Sequence, residues 1–319
     1  MRIIMTGATS FVGAAAVRAL LKRGHTVTAV VRPGSHKINT ITEKNGQALL
    51  EKRLFVVENE LSEPERLPGK LPEGGDVFCH FGWGGSGSNA RTDKKLQERN
   101  LADSLRTLEA AKALGCRRFL FSGSQAEYGL HEGLMTEESP CRPRSAYGEA
   151  KLSMCQKGEA LSKALGLTYL HVRIFSAYGP GDHPWTLVES CLAAFLEGKE
   201  LALGACTQEW NFLYIEDLAD ALCALCEAPA EAFAGLASPV FNLAGDETRL
   251  LKEFVEEIHT LCGGHGMPHY NTRPENAEGI VNLIPSIEKL EKTTGWAPGT
   301  RFAEGILKTI RARKQGAFY

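Results

Sequence analysis

The sequence lacks an excess of either charge. Its 36 lysines and arginines stand against 38 aspartates and glutamates, a formal net charge of −2. A broad electrostatic pull toward nucleic acid is thereby excluded, although a local anion site is not. Long hydrophobic runs are missing too: none nears the roughly 20 residues that cross a bilayer. There is no low-complexity tract, long linker or internal repeat. The N-terminus enters strand-like sequence directly, without the basic-then-apolar pattern of an export signal. The nine cysteines are scattered and odd in number, which argues against a disulfide framework. These absences lead to the expectation of a soluble, cytoplasmic protein with neither a membrane nor a nucleic-acid partner.

Two cysteine patterns invite a metal or redox reading. Cys223 and Cys226 form a C-x-x-C inside DLADALCALCEA, a segment with helical periodicity, and read as buried thiols. Cys262, His265 and His269 lie in CGGHGMPHY with no fourth ligand nearby, so no metal is expected.

What is present is a chain of 319 residues, 43% of them hydrophobic, enough to bury a substantial core in one large or two modest domains. Its first half alternates. RIIMTG, HTVTAVVR, RLFVVEN, DVFCHFG, RRFLFSGS and LTYLHVRIFSAYG read as strands. FVGAAAVRALLKRG, KKLQERNLADSLRTLEAAKALG and SAYGEAKLSMCQKGEALSKALG read as helices between them. Strands separated by helices imply right-handed βαβ units and a parallel sheet covered on both faces. Past about residue 176 the alternation weakens into a smaller region, with FNLAG as a further strand.

TGATSFVG joins the first strand to the first helix, where a doubly wound fold places its phosphate-binding turn. Gly7 allows a tight turn, and Gly13 lets the helix approach the strand. Ser10, in place of a middle glycine, offers a hydroxyl donor. The helix N-terminus then faces a pyrophosphate. The second strand ends Val30-Val31-Arg32. No carboxylate stands where one would hold the adenine ribose hydroxyls, and a guanidinium there can pair with a 2′-phosphate. With Ser35 and the nearby Lys37, this favours NADP(H) over NAD(H); the plain alternative is a solvated loop arginine. Glu60 reads either as an acceptor for the adenine amino group or as a surface carboxylate.

Tyr147 and Lys151 stand four apart in SAYGEAK and share one helix face. An ammonium near a phenol favours the phenolate, letting the tyrosine exchange a proton at a carbinol oxygen. A surface pair is the alternative. Ser124, at the end of FLFSGS, sits where open α/β sheets bind ligands; taken alone it is a turn serine.

Taken jointly, these segments resemble the extended short-chain dehydrogenase/reductases, the NAD(P)-dependent nucleotide-sugar epimerase/dehydratase group, nearly end to end. TGATSFVG resembles their TGxxGxxG turn, SGSQAEYG and SAYGEAK their catalytic segments, WNFLYIEDLADAL their RDFxxVxDxAxA, and SIEKLEKTTGWAP their C-terminal SKLxxxLGWxP. The resemblance implies a doubly wound Rossmann sheet over residues 1–175, with 211–244 returning to it. A smaller substrate domain would comprise 176–210 and 245–319. It adds Asn100 to Ser124, Tyr147 and Lys151 as a catalytic tetrad. Cofactor contacts are implied for Thr9, Phe11, Val12, Leu61, Phe81, Gly82, Ile174 and Phe175 besides the residues above. A homodimer through a four-helix bundle also follows.

Departures from the family pattern narrow the reading. Gln125 and Ala126 replace the Asp-Glu acid–base pair of dehydratases and cannot titrate, which disfavours loss of water; Glu127 is shifted along the chain and points elsewhere. Of two diphosphate-clamping arginines one is Trp210, which either stacks on a ring or packs, and the other fits Arg273. Trp83, Gln125 and Ser176 complete the expected substrate contacts. His183 and Trp185, in PGDHPW, receive no role. The expected function is an NADPH-dependent reductase of a nucleotide-linked 4-keto-6-deoxysugar, similar to the 4-ketoreductases that make abequose. Tyr147 would be its proton donor. The alternatives are an NAD-dependent nucleotide-sugar 4-epimerase and, last, a non-catalytic dinucleotide-binding regulator.

Overall fold

The computed structural model describes residues 1–85, 87, 90–273 and 281–316. Its first half runs β1 (Arg2–Thr6), α1 (Phe11–Lys22), β2 (Thr26–Val31), the short helices α2 (Asn39–Thr42) and α3 (Gly46–Leu50), and β3 (Leu54–Glu58). There follow α4 (Leu67–Lys70), β4 (Val77–His80), α5 (Lys94–Ala113), β5 (Arg118–Ser124), α6 (Ala146–Leu165) and β6 (Thr168–Ile174). The second half contains β7 (Ser176–Tyr178), α7 (Leu187–Leu196), β8 (Glu200–Ala202), β9 (Glu209–Tyr214), α8 (Ile215–Glu227) and β10 (Val240–Leu243). It ends with β11 (Thr248–Leu250), α9 (Leu251–Leu261), β12 (Met267–His269), α10 (Glu288–Thr294) and α11 (Phe302–Lys314).

Seven strands form one parallel sheet in the order β10-β6-β5-β4-β1-β2-β3. The order reverses between β1 and β4, the switch point beside which a doubly wound sheet binds ligands. Both faces are covered. On one, α1 and α8 bury Val17, Leu20, Leu218, Leu222 and Leu225 against strand residues such as Ile3, Val27 and Phe241. On the other, Leu108 and Ala111 of α5 and Met154 of α6 pack against Phe78, Phe119 and Phe121. The central strands read as apolar runs because each side chain, up or down, meets a helix layer. C-x-x-C belongs to this packing: Cys223 and Cys226 are buried, and the Cys226 sulfur lies 3.7 Å from that of Cys79.

A three-stranded sheet, β11-β9-β7, and the pair β12-β8 organise the smaller half. Two boundaries differ from the sequence reading. The expected sixth strand breaks at Phe175, whose side chain turns into a separate apolar cluster with Tyr128, Met135, Ala244 and Leu283, so β7 joins another sheet. Residues 211–214 do not return to the main sheet either. They lie in β9, between β7 and β11, and the return begins with α8.

Candidate active site

The β1–α1 turn is closed by its glycines. Gly7 has φ +68°, and a Cβ there would lie 2.5 Å from the Phe81 carbonyl carbon. A Cβ on Gly13 would lie 2.1 Å from the Gly7 oxygen, so only glycine lets α1 sit this close to the turn. Ser10 is the α1 N-cap: its hydroxyl oxygen accepts from the Gly13 N–H at 3.0 Å, as this residue type commonly does. The hydroxyl proton remains available as a donor at the helix N-terminus.

A cleft of about 330 Å³ opens over this turn. Gly7, Thr9, Ser10, Leu61, Phe81, Gly82, Trp83, Gly84 and Gly85 line it. Val31, Arg32, Lys37, Asn59 and His183 line it as well, and among the described residues no carboxylate does. Several expected cofactor residues lie outside this lining. Phe11 and Val12 pack against the core from α1, Glu60 is exposed, and Ser35 uses its hydroxyl to accept from the Lys37 N–H (3.3 Å). Ile174 lies beside Ser124 in the β5–β6 register, and Phe175 is buried in its own cluster. Asn59, next to Glu60, lines the cleft, but its buried amide is taken up within the loop, donating to the Glu60 and Glu63 carbonyls and accepting from Lys70.

Below the cleft, Thr6 and His80 tie β1 to β4 through a 2.7 Å hydrogen bond, and the Gly82 N–H donates to the Thr6 hydroxyl (3.2 Å). Burial, then Lys151, holds the His80 pKa down at about 3, so this histidine stays neutral and structural.

Ser124 ends β5 and caps the short turn that follows, its hydroxyl accepting from the Ala126 N–H (3.2 Å). Gly148, in the first turn of α6, packs on that turn so closely that a Cβ would meet the Ala126 oxygen at 2.5 Å. This contact carries Tyr147 and Lys151 to the Ser124 end of the sheet. Lys151 is 2% exposed and donates to the Ser122 carbonyl at 2.6 Å. Its ammonium lies 3.8 Å from the centre of the Trp83 ring, 4.6 Å from that of Phe121 and 5.6 Å from that of Tyr147. Burial pulls its pKa down to about 7, against the opposing influence of Glu127. Trp83 also stands edge-on to Tyr147 (6.2 Å, 88°), and Arg91 lies over the tyrosine ring at 4.6 Å.

The glycine-rich loop after β4 is stapled from α5. The Trp83 indole N–H donates to Gln97 (2.8 Å), whose amide donates to the Gly85 and Ala90 carbonyls. Asn100 holds Gly84 from both sides, donating to its carbonyl (2.7 Å) and accepting from its N–H (3.1 Å). Ser86, Ser88 and Asn89 of this loop lie outside the described residues.

Glu127, the acid displaced from the dehydratase position, is wholly buried behind Ser124. It accepts from the Ser124 N–H (2.8 Å), His171 (2.8 Å) and Arg173 (2.9 Å). Burial alone would raise its pKa, but His171 and then Arg173 hold it at about 2. Burial likewise works against charge on His171, yet Glu127 lifts it to about 9. Nothing in the spacing of these three residues announced the web, since β5 and β6 bring them together only in the sheet.

The expected substrate residues are more dispersed. Gln125 follows Ser124 directly, its side-chain oxygen shut from water without a partner among the described residues. Trp210 packs between two apolar clusters, and its indole N–H is likewise unpartnered. Ser176 begins β7. Arg273 is exposed, and the rest of its segment, from 274 to 280, lies outside the described residues. His269 of the histidine-rich segment pairs with Glu200 (3.3 Å).

A switch-point cleft lies over a glycine turn, and Trp83, which lines it, packs against Tyr147 and Lys151 beside the Ser124 turn. The pattern of the NAD dependent epimerase/dehydratase family matches residues 3–244, and the chain belongs to that family. It is 28% identical to a UDP-glucose 4-epimerase of Corynebacterium glutamicum, over 93% of this chain and 91% of the relative. Among solved structures it is similar to a UDP-glucose 4-epimerase of Thermotoga maritima with UDP-glucose (TM-score 0.85, 22% identity, 99% of this chain, 100% of that one). It is similar as well to a UDP-glucuronic acid 4-epimerase of Bacillus cereus in complex with NAD (TM-score 0.81, 23% identity, 99% and 97%). The chain is thus an enzyme of nucleotide-sugar epimerase/dehydratase type.

Proposed function

We propose that this enzyme oxidises and reduces C4 of a nucleotide-linked sugar, with Tyr147 as the acid–base group. The observation that carries the reading is the placement of Lys151 within 5.6 Å of the Tyr147 ring, beside the Ser124 turn. The glycine turn, where any Cβ would clash, fits a pyrophosphate approaching the backbone. A dinucleotide bound in the cleft supplies the hydride acceptor and donor. Tyr147 takes the proton from the sugar hydroxyl when C4 is oxidised and returns it to the oxygen when C4 is reduced. Lys151 stabilises the phenolate while charged, and Ser124 holds the same sugar oxygen by hydrogen bonding. Gln125 and Ala126 offer no acid–base pair, so water is not lost from the sugar.

The curated relatives support a 4-epimerase, in which hydride leaves one face and returns to the other. The adenosine end of the cleft, basic and free of carboxylates among the described residues, supports NADP(H) as the dinucleotide. It favours a second reading: net reduction of a 4-keto-6-deoxysugar, the chemistry of the 4-ketoreductases named above. The α5–α6 pair is the surface through which a homodimer would form a four-helix bundle.

Incubation with UDP-glucose and UDP-galactose, followed by chromatography, tests the first reading. Oxidation of NADPH by a UDP- or CDP-linked 4-keto-6-deoxyhexose tests the second. Tyr147→Phe is expected to lower either turnover by about 10²–10⁴-fold while dinucleotide affinity stays within about twofold. Unaltered turnover would remove Tyr147 from the mechanism.

A further inference from the structure

No motif singles out Arg91, yet its guanidinium carbon lies 4.6 Å from the centre of the Tyr147 ring. The residue is half-buried and sits in a single helical turn, Ala90–Thr92, between the glycine-rich loop and α5. That turn is pinned on both sides. The Ala90 and Arg91 N–H groups donate to the Gly87 carbonyl (3.0 and 3.1 Å), and the Asp93 N–H donates to the Ala90 carbonyl (3.2 Å). The Gln97 amide donates to that same Ala90 carbonyl at 2.8 Å. Asp93 in turn caps α5 by accepting from the Leu96 N–H (3.1 Å). The backbone that carries Arg91 is thereby fixed to the start of α5, while Tyr147 is fixed to the start of α6.

We propose that Arg91 is a positioning residue for the proton exchange, its guanidinium holding the Tyr147 ring and stabilising the phenolate form. The inference rests on Tyr147 being the acid–base group and deepens that reading; it holds for an epimerase or a reductase. A nearby cation favours a phenolate, and a cation over a ring face is also attracted by the ring's own charge distribution. Lys151 approaches the same ring to 5.6 Å, but its charge is conditional. With a pKa of about 7 it is neutral near pH 10, where a phenol ordinarily ionises. A guanidinium stays charged throughout that range. Of the carboxylates, Glu127 acts on Lys151 from behind Ser124, where His171 and Arg173 engage it. The stabilisation that outlasts the charge on Lys151 therefore comes from Arg91.

Ultraviolet difference titration of the phenolate tests the proposal on the full chain. The chain has seven tyrosines, so each protein is compared with its own Tyr147→Phe partner, and the difference isolates Tyr147. Arg91→Gln is expected to raise the Tyr147 midpoint by about one pH unit. Arg91→Lys, which restores the charge, is expected to stay within about half a unit of wild type. Far-UV circular dichroism shows that each variant is folded. If Arg91→Gln titrates like the wild type, the inference fails and Tyr147 remains the acid–base group. If Arg91→Lys titrates like Arg91→Gln, the effect is not one of charge and the inference also fails. Wild-type turnover in Tyr147→Phe would instead overturn the reading on which the inference rests.

Discussion

At the residue scale, Trp83 and Glu127 do work that their positions in the sequence do not advertise. Among the described residues, the Lys151 ammonium has one carbonyl acceptor and otherwise faces aromatic rings, of which Trp83 is closest. With a pKa near 7, the lysine is charged below neutrality and loses its charge above it. Trp83→Ala admits water and raises that pKa toward the ordinary lysine range. A Lys151 pKa of about 7 leads us to expect an alkaline fall of kcat/KM from about that pH in the wild type, and a fall at higher pH in the variant. Trp83→Phe, which keeps a ring face, should stay close to the wild-type profile. Coincident profiles for all three proteins would remove Trp83 from the control of Lys151.

Glu127 holds two buried cations and the Ser124 backbone. Glu127→Gln leaves His171 and Arg173 without their counter-charge, a change expected to cost about 3–5 kcal/mol in urea unfolding. The pH dependence has two limbs. The Glu127 pKa of about 2 lies below its unfolded value of roughly 4.3, so its stabilisation is present above that value and lost as pH falls toward 2. The His171 pKa of about 9 lies above its unfolded value of roughly 6.5, so its contribution is complete below 6.5 and lost as pH rises through 9. The variant should flatten both limbs. Wild-type pH dependence in Glu127→Gln would contradict the web's role.

At the element scale, the β1–α1 turn is the feature most legible in the sequence. Gly7 and Gly13 sit in one octapeptide, and a turn between adjacent elements is set by local chemistry. The same holds for Tyr147 and Lys151, one helical turn apart, and for Ser124 at a strand end. Gly13→Ala should then be severe: its methyl would lie 2.1 Å from the Gly7 oxygen, forcing α1 off the strand. Dinucleotide affinity is expected to fall at least about tenfold, measured by fluorescence titration, with a lowered melting temperature. Unchanged affinity would show that α1 does not approach the ligand as described. Less local features escaped the sequence. The sixth strand broke at Phe175 because a cluster built from residues 128, 135, 244 and 283 captured its side chain. The Gln97 staple on the glycine-rich loop depends on where α5 passes that loop.

At the scale of the whole molecule, two halves of unequal size meet over one cleft. The larger half supplies the turn, the tyrosine and the lysine, all readable from motifs. The smaller half sends in His183, whose approach to Lys37 spans much of the chain and has no local signature. No helix among the described residues is long and apolar enough to cross a membrane. The chain is similar in fold to epimerase structures along nearly its whole length. The net reaction depends on which dinucleotide the cleft retains.

The most direct test of the central claim, that the cleft holds a nicotinamide dinucleotide for hydride transfer, is mass spectrometry of the nucleotide released on denaturing the freshly purified protein. A protein that releases nothing would be titrated with NADPH and NADH. The account predicts NADP(H) released at about one per chain, or an empty protein that binds NADPH more tightly than NADH. Stoichiometric NAD would keep the hydride-transfer mechanism, favour the epimerase and overturn the NADP(H) reading. A protein that releases no dinucleotide and binds neither form would contradict the account.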